Sequence, residues 1–164
     1  MRLREFRKQL RRSKIGLPRI LEAELTAALV AGSALAQVNT GDVKWGPAPA
    51  VFPKGVQMAL LSGDPSKPGD FVIRLKMPAG YQIPAHHHPT NEYVTVISGE
   101  FHLGMGDKLD KKKSATLHAG GFAEAPAGMN HFAWASAPSV VQVQAEGPFA
   151  MTYVNPADDP TKMK

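Results

Sequence analysis

Three consecutive histidines and one glutamate are the side chains of this chain whose types and spacing best suit metal chemistry. They are His86, His87, His88 and Glu92. If residues 83–88 form a strand, successive side chains point to opposite faces, so His86 and His88 share one face and His87 lies on the other. Two imidazoles and one carboxylate make a mixed nitrogen and oxygen donor set, which suits a divalent transition metal.

The residues after the histidines return the glutamate toward them. Pro89 has no backbone N–H and fixes its own φ, so we expect the strand to end and the chain to turn through residues 89–91. Glu92 then begins a second strand, in which Glu92 and Val94 share one face. The pattern predicts a hairpin-like arrangement that places the carboxylate near the two imidazoles.

A second segment, residues 120–131, supplies another imidazole. Pro126 and Gly128 indicate a tight turn, and His131 begins a strand that could bring its ring to the same cavity. A histidine on an apolar strand is more often a hydrogen-bonded structural residue than a ligand. Three others are therefore predicted to be ordinary surface or sheet residues: His87, His102 and His118.

Short strands would position these residues. We predict them at residues 56–61, 71–77, 83–88, 92–97, 100–105, 121–125, 131–135, 140–146 and 149–154. Residues 106–113 are predicted to be a charged loop, and His118 is also placed in a loop. No long helical period follows residue 36, so the pattern predicts an all-β barrel or sandwich.

Composition excludes several kinds of site. The chain has no cysteine, which excludes disulfides, thiolate metal ligands and a cysteine nucleophile. Its net charge of +5 lies in residues 1–36, which hold eight basic and three acidic side chains, whereas residues 37–164 hold eleven of each. A neutral body has no bulk attraction for phosphate, so no nucleic-acid partner is predicted. Arg74 is the only arginine of that body, so a multi-arginine clamp is excluded.

The first 36 residues resemble a secretory leader. A basic segment precedes an apolar run at residues 25–35, and Ala34, Leu35 and Ala36 form a small-x-small cleavage site. The run is too short for a permanent membrane span. We predict cleavage after Ala36 and a periplasmic or secreted protein. The alternative is an amphipathic helix, because the apolar residues of this segment also fit helical spacing.

The two histidine segments together resemble the motifs of the cupin superfamily. The first motif is met by Gly80, His86, His88, Glu92 and Gly99, and the second by Gly120, Pro126, Gly128 and His131. The second motif usually closes with Asn, where this chain has Ala135. Nine positions at fixed spacing are a much more specific pattern than a single His-x-His.

The resemblance implies a fold and a metal site. We expect a small antiparallel jelly-roll barrel at residues 56–154, preceded by an extended arm at 37–55 and followed by a polar tail at 155–164. The implied metal ligands are His86, His88, Glu92 and His131. The form is similar to exported bacterial single-domain cupins and to the C-terminal cupin of some anti-sigma regulators. The sequence shows no N-terminal zinc-binding segment with His and Cys, which disfavours the regulator interpretation.

Two classes of function remain open at this point. One is an enzyme, an oxygenase, isomerase or hydrolase, acting on a small organic molecule at a metal with open coordination positions. The other is a non-catalytic module that binds or senses a metal or small ligand. Iron, manganese, zinc and nickel are not distinguished by the ligand set. We expect a homodimer, because many cupins pair through their sheets. Six side chains are predicted to line the cavity: Tyr81, Phe101, Met105, Met129, Phe132 and Trp134.

Overall fold

The computed structural model describes residues 37–162, so the predicted leader lies outside the described residues. The described part contains eleven strands. They are β1 (Gly46–Pro47), β2 (Gln57–Ser62), β3 (Gly69–Met77), β4 (Gln82–His87), β5 (Glu92–Ser98), β6 (Glu100–Met105), β7 (Ser114–His118), β8 (Phe122–Ala125), β9 (His131–Ala135), β10 (Ser139–Gly147) and β11 (Thr152–Tyr153). Single 3-10 turns lie at Thr40–Asp42, Lys111–Lys113 and Pro156–Asp158.

The strands form two antiparallel sheets. One has six strands in the order β1-β2-β3-β10-β5-β8, and the other has five in the order β11-β4-β9-β6-β7. Strands distant in sequence are neighbours, since β10 lies between β3 and β5, and β9 lies between β4 and β6. This is the sandwich-like architecture of a jelly roll. The prediction of an all-β fold is confirmed.

Strict alternation builds the apolar interior between the sheets. In β3, Phe71, Ile73, Leu75 and Met77 are all less than 5% exposed, while the residues between them are half-buried or exposed. In β5, Val94 is buried and Tyr93 faces out. Burying one large apolar side chain contributes about 1.5–3 kcal/mol, so these faces fix the register of the sheets.

A β-bulge in β4 interrupts the alternation beside the histidines. Ile83 pairs with Ala133, and His86 pairs with His131, so two residues of β4 oppose only one residue of β9 at this point. In a regular strand, Ile83 and His86 are three positions apart and would point to opposite faces. The bulge lets both face the interior, where they are 5% and 2% exposed.

Gly99, which closes the first histidine motif, meets a close backbone approach. Its φ is +85°, and a Cβ added there would lie 2.3 Å from the carbonyl oxygen of Pro138. Glycine alone tolerates both the left-handed conformation and the missing space. The tight β5–β6 connection therefore depends on this residue.

The structure differs from the sequence prediction at β1, a two-residue strand within the predicted arm, and in two further places. β7 was not predicted, and His118 is its last residue instead of a loop residue. This strand lies at the edge of its sheet and buries none of its side chains fully, so it leaves no alternating pattern to read. In the last predicted strand, 149–154, only Thr152–Tyr153 pairs, because Phe149 instead packs against Phe52.

The arm before β2 packs onto the barrel. Val43 and Phe52 are less than 10% exposed, and the Lys76 amine lies 5.4 Å from the ring centre of Trp45. Among the described residues, no helix has the length and apolar character needed to cross a bilayer.

Candidate metal centre

Three imidazoles converge at one end of the barrel interior. His86 lies in β4, His88 follows that strand directly, and His131 begins β9. Their ring centroids are 4.3–5.3 Å apart, and each residue is less than 5% exposed. One ligand nitrogen from each ring lies within 4.8 Å of the other two. The three histidines form a cluster that could hold a metal ion.

Backbone carbonyls orient all three rings in the same way. The Nδ1 atoms of His86, His88 and His131 lie 2.7, 2.7 and 3.0 Å from the carbonyl oxygens of Pro84, Ala150 and Met129. A carbonyl only accepts, so each Nδ1 carries a proton and donates it. The neutral ring then presents the lone pair of Nε2, the tautomer that a metal ligand needs.

The inward-facing nitrogens have no protein donor. The Nε2 atoms of His88 and His131 are buried without a hydrogen-bond partner. The Glu92 carboxylate faces them at 3.7 Å and 3.6 Å, too far for a good hydrogen bond. A cation between them would satisfy the lone pairs and the carboxylate that face one another in this buried space. The residues present therefore fit a divalent metal ion.

The site favours neutral imidazoles beside an ionised carboxylate. Burial, together with the neighbouring rings of His131 and His88, lowers the pKa of His86 to about 3. Burial also lowers the pKa of His88. For Glu92, burial opposes ionisation, but the imidazoles of His131 and His88 outweigh it and lower the pKa. The pKa shifts of His86 and His88 therefore favour neutral rings beside an ionised Glu92 carboxylate, a donor set that suits a divalent cation.

His87 lies on the other side of the strand, as the alternation predicts. Its Nδ1 atom is 3.0 Å from Oδ1 of Asn130, and the Asn130 amide donates to Asp107 at 2.7 Å. The ring is half-buried and takes no part in the cluster.

A family comparison agrees with this arrangement. The profile of the ChrR cupin-like domain matches residues 33–150, which include both histidine segments. The chain belongs to this cupin family. No curated protein matches this cupin in sequence.

Solved structures share the fold at low sequence identity. The polyketide cyclase RemF from Streptomyces resistomycificus has a TM-score of 0.64 and 19% identity, covering 79% of this chain and 94% of that one. A proposed acetylacetone dioxygenase from Methylibium petroleiphilum PM1 has a TM-score of 0.58 and 24% identity, covering 76% and 83%. KdgF from Halomonas sp. has a TM-score of 0.51 and 19% identity, covering 66% and 91%.

A small cavity adjoins the metal ligands of this cupin. It has about 20 Å³ of room for water centres, where one water needs about 10–15 Å³. Its polar lining consists of His86, Glu92 and His131, and the rest is apolar. The apolar lining residues are Phe52, Leu75, Met77, Ile83, Val94, Phe101, Leu103, Ala133, Val141, Val143 and Met151.

Of the six side chains predicted to line the cavity, Phe101 is among its lining residues. Tyr81 is buried beside it, but its hydroxyl donates to the carbonyl of Pro53 at 2.7 Å. Met105 and Met129 are 42% and 50% exposed. Both lie where the chain leaves the sheet, so burial does not follow from their apolar character.

Phe132 and Trp134 lie on the outer face of the five-stranded sheet, because they alternate with the inward-facing His131 and Ala133 in β9. Phe132 is nevertheless 1% exposed. Its ring lies where a Cβ of Gly104 would be, so that glycine makes room for it outside the cavity. Aromatic character alone predicts burial of such residues but not the face on which they are buried.

The sequence did not predict two features of the site: some of the side chains that line the cavity, and the carbonyls that orient the rings. Phe52 and Met151 reach the cavity from segments outside the long strands. Phe52 lies in the arm, and Met151 lies in the predicted strand 149–154 but just before the two residues that form β11. The carbonyls that orient the rings come from the backbone, which every residue type supplies. By contrast, the alternation of β3 and β10 would have placed Leu75 and Val143 inside.

Proposed function

We propose that this cupin binds a divalent first-row metal ion through His86, His88 and His131, with Glu92 as the fourth ligand. One observation carries the proposal. Three buried imidazoles donate Nδ1–H to backbone carbonyls and aim the opposite nitrogens at one point, where two of those nitrogens have no other partner. Orienting hydrogen bonds of this kind raise the basicity of a ligand and fix its position.

The identity of the ion is proposed only as a class. Neutral imidazoles and a carboxylate suit iron, manganese, zinc or nickel, and the absence of thiolates disfavours copper(I). A bound ion would supply Lewis acidity to a coordinated oxygen of a substrate or water. Glu92 would neutralise part of the ion's charge, and the apolar wall would exclude bulk water from the ion.

Metal analysis tests the site directly. The full chain is purified without chelator and its metal content is measured by elemental analysis, beside a His86→Ala, His131→Ala double variant. We expect near-stoichiometric metal in the wild type and loss of it in the double variant. The control is His118→Ala, since that side chain is 72% exposed and lies on β7. Equal metal content in the double variant and the wild type would refute the proposal.

We further propose that the metal serves a reaction on a small organic molecule, of oxygenase, isomerase or hydrolase type. Support comes from the apolar cavity beside the ligands and from a fold that, in its solved neighbours, includes a cyclase and a proposed dioxygenase. Oxygen-uptake assays with small diketones test an iron form, and ester or isomerisation panels test zinc and manganese forms. Turnover must disappear in the double variant.

The second candidate is a non-catalytic module that binds or senses a metal or small ligand. The cavity favours it in one respect, since its polar lining offers only groups assigned to the metal and no separate general acid or base. A module of this kind would gain thermal stability on metal binding and show no turnover in any panel. Thermal unfolding with and without metal distinguishes it from a protein that does not bind at all.

We also propose export, with removal of residues 1–36, and a periplasmic or secreted location. The supporting features are the basic segment, the apolar run and the small residues at Ala34 and Ala36. N-terminal sequencing of the protein recovered from a bacterial periplasm should begin at Gln37. A retained leader would contradict export by this route.

A homodimer is proposed from the outer face of the six-stranded sheet. Phe122 on the edge strand β8 is 59% exposed, and its ring stacks on Tyr93 with centroids 6.3 Å apart. Ile97 is 36% exposed on the same face of β5. Light scattering at micromolar concentration should give twice the chain mass, and Phe122→Lys should give a monomer. A monomeric wild type would remove this proposal.

A further inference from the structure

The wall of the cavity is completed by a side chain that does not belong to the barrel strands. Phe52 lies in the arm between β1 and β2, yet it is only 6% exposed and lines the same cavity as His86 and His131. Its ring stacks on Phe149, with centroids 5.8 Å apart and planes 7° apart. Phe149 in turn contacts the ring of His88 at a centroid distance of 5.2 Å.

Two buried tyrosines fix the backbone on either side of Phe52. The hydroxyl of Tyr153 donates to the carbonyl of Val51 at 2.8 Å, and that of Tyr81 donates to the carbonyl of Pro53 at 2.7 Å. Burial raises the pKa of both hydroxyls, so they remain donors across the physiological pH range. The carbonyls immediately before and after Phe52 are therefore both held from the barrel.

Phe52 is therefore a fixed part of the wall of a small cavity. About 20 Å³ of room for water centres accommodates one water-sized ligand but no carbon skeleton of several atoms. The opposite walls are built from paired strands, where a shift would break sheet hydrogen bonds. Phe52 and Met151 come from connecting segments, which can be altered without disturbing the sheets.

We propose that Phe52 is the specificity-determining residue of the site and sets the upper size limit of molecules that reach the metal centre. The ligand class is a carbonyl or carboxylate compound of one or two carbons, with its oxygen toward His86 and His131 and its remaining hydrogen or methyl group toward Phe52. This inference rests on the proposed metal function for the orientation of the ligand, but the size limit itself is a property of the cavity wall.

A series of linear carboxylates bound to the cobalt(II)-loaded full chain tests the proposal. Formate, butanoate and hexanoate are titrated, and the visible cobalt spectrum reports binding at the ion. The wild type should respond to formate and respond at least tenfold more weakly to hexanoate. Phe52→Ala should gain at least tenfold in hexanoate affinity, because a side chain that blocks two or more methylene groups is removed. Leu60→Ala, a truncation at a 51% exposed position, should keep the wild-type order.

A metal-independent readout separates the two proposals. Benzene is added to chelator-treated protein, and thermal unfolding is followed. It should stabilise Phe52→Ala and leave the wild type unchanged, since an enlarged apolar cavity binds such a probe. Phe52→Leu, which removes less volume, gives an intermediate variant if Phe52→Ala fails to fold. It should raise the carboxylate size limit by less than full truncation.

Failure of the metal proposal and failure of the size limit give different results. A wild type without a cobalt spectrum defeats the metal proposal, and benzene still tests the wall. A wild type that binds hexanoate as well as formate overturns the size limit. The same conclusion follows if the folded Phe52 variants keep the wild-type order of carboxylates or show no stabilisation by benzene.

Discussion

The inner and outer faces of the five-stranded sheet both bury a histidine, but they satisfy the ring nitrogens differently. His131 on the inner face is 1% exposed, and its Nε2 has no hydrogen-bond partner. His102 on the outer face is 6% exposed, and hydroxyls of Thr116 and Ser136 lie 3.1 and 3.0 Å from its two nitrogens. Its ring also stacks on Trp134 at 3.7 Å between centroids.

The outer network closes without any added ion. Ser136 donates to the Glu100 carboxylate, so its oxygen accepts from Nε2–H of His102, and Nδ1 accepts from the Thr116 hydroxyl. His118 extends this network, with Nδ1 3.6 Å from Glu100. Burial alone therefore does not distinguish a structural histidine from a ligand. The deciding feature is whether each ring nitrogen already has a partner.

The largest difference between substitutions on the inner and outer faces should appear in metal affinity. Replacing His131 with Gln removes an imidazole ligand, and we expect metal affinity to fall by about 100-fold or more, beyond the 10- to 100-fold typical of losing an orienting partner. His102→Gln should leave affinity within about threefold of the wild type. Competition titration with a chromophoric chelator measures both. Similar losses in the two variants would abolish the distinction between the faces.

Acid should destabilise the metal-free protein through the inner face. The folded pKa of His86 is depressed to about 3 from an ordinary value of 6.5, chiefly by burial. Between these values the unfolded state binds the extra proton, so stability is complete above about pH 6.5 and falls as pH decreases. One such group contributes a slope of about 1.4 kcal/mol per pH unit.

Denaturant unfolding in chelator at pH 7, 6 and 5 measures this slope. His86→Phe removes one titrating group and should reduce the slope over this range, in which carboxylates contribute less. His88, whose pKa burial also lowers, should contribute the slope that remains. An unchanged slope in that variant would show that other groups dominate the acid response.

His102→Ala should affect stability instead of metal binding. The change removes the stacking on Trp134 and leaves the Thr116 and Ser136 hydroxyls without their partner, at a cost of about 1–3 kcal/mol. Denaturant unfolding of the metal-free chain measures the loss, and metal content serves as the control. Reduced metal content in a fully folded variant would indicate coupling between the two faces.

The smallest effect is expected at the rim of the outer network. The Lys111 amine lies 4.5 Å from the ring centre of Trp134, an exposed cation–π contact. Lys111→Ala should therefore lower the free energy of unfolding by about 0.5–1 kcal/mol. Lys112→Ala is the matched control on the same turn and should change it by less. Equal losses of stability in the two variants would show that the effect comes from removing a positive charge and not from the contact with Trp134.

Sequence spacing predicted that His86, His88 and Glu92 converge, because strand alternation and the following turn fix their local geometry. The cupin resemblance implied His131 as the remaining ligand. A strand puts His86 and His88 on one side, and the turn after Pro89 returns Glu92. The structure places all four around one point, with His87 on the opposite side. Alternation likewise identified most of the core, since its period follows directly from strand geometry.

The sequence by itself determined the all-β class and the identity of the histidine cluster, because both depend on contacts that local periodicity and turn residues encode. Only the tertiary structure decided the rest of the cavity. Phe52 and Met151 enter it from connecting segments, Trp134 turns away from it, and the bulge in β4 admits Ile83 beside His86. These choices depend on which segments meet across the barrel, and long-range packing leaves no periodic mark in the chain.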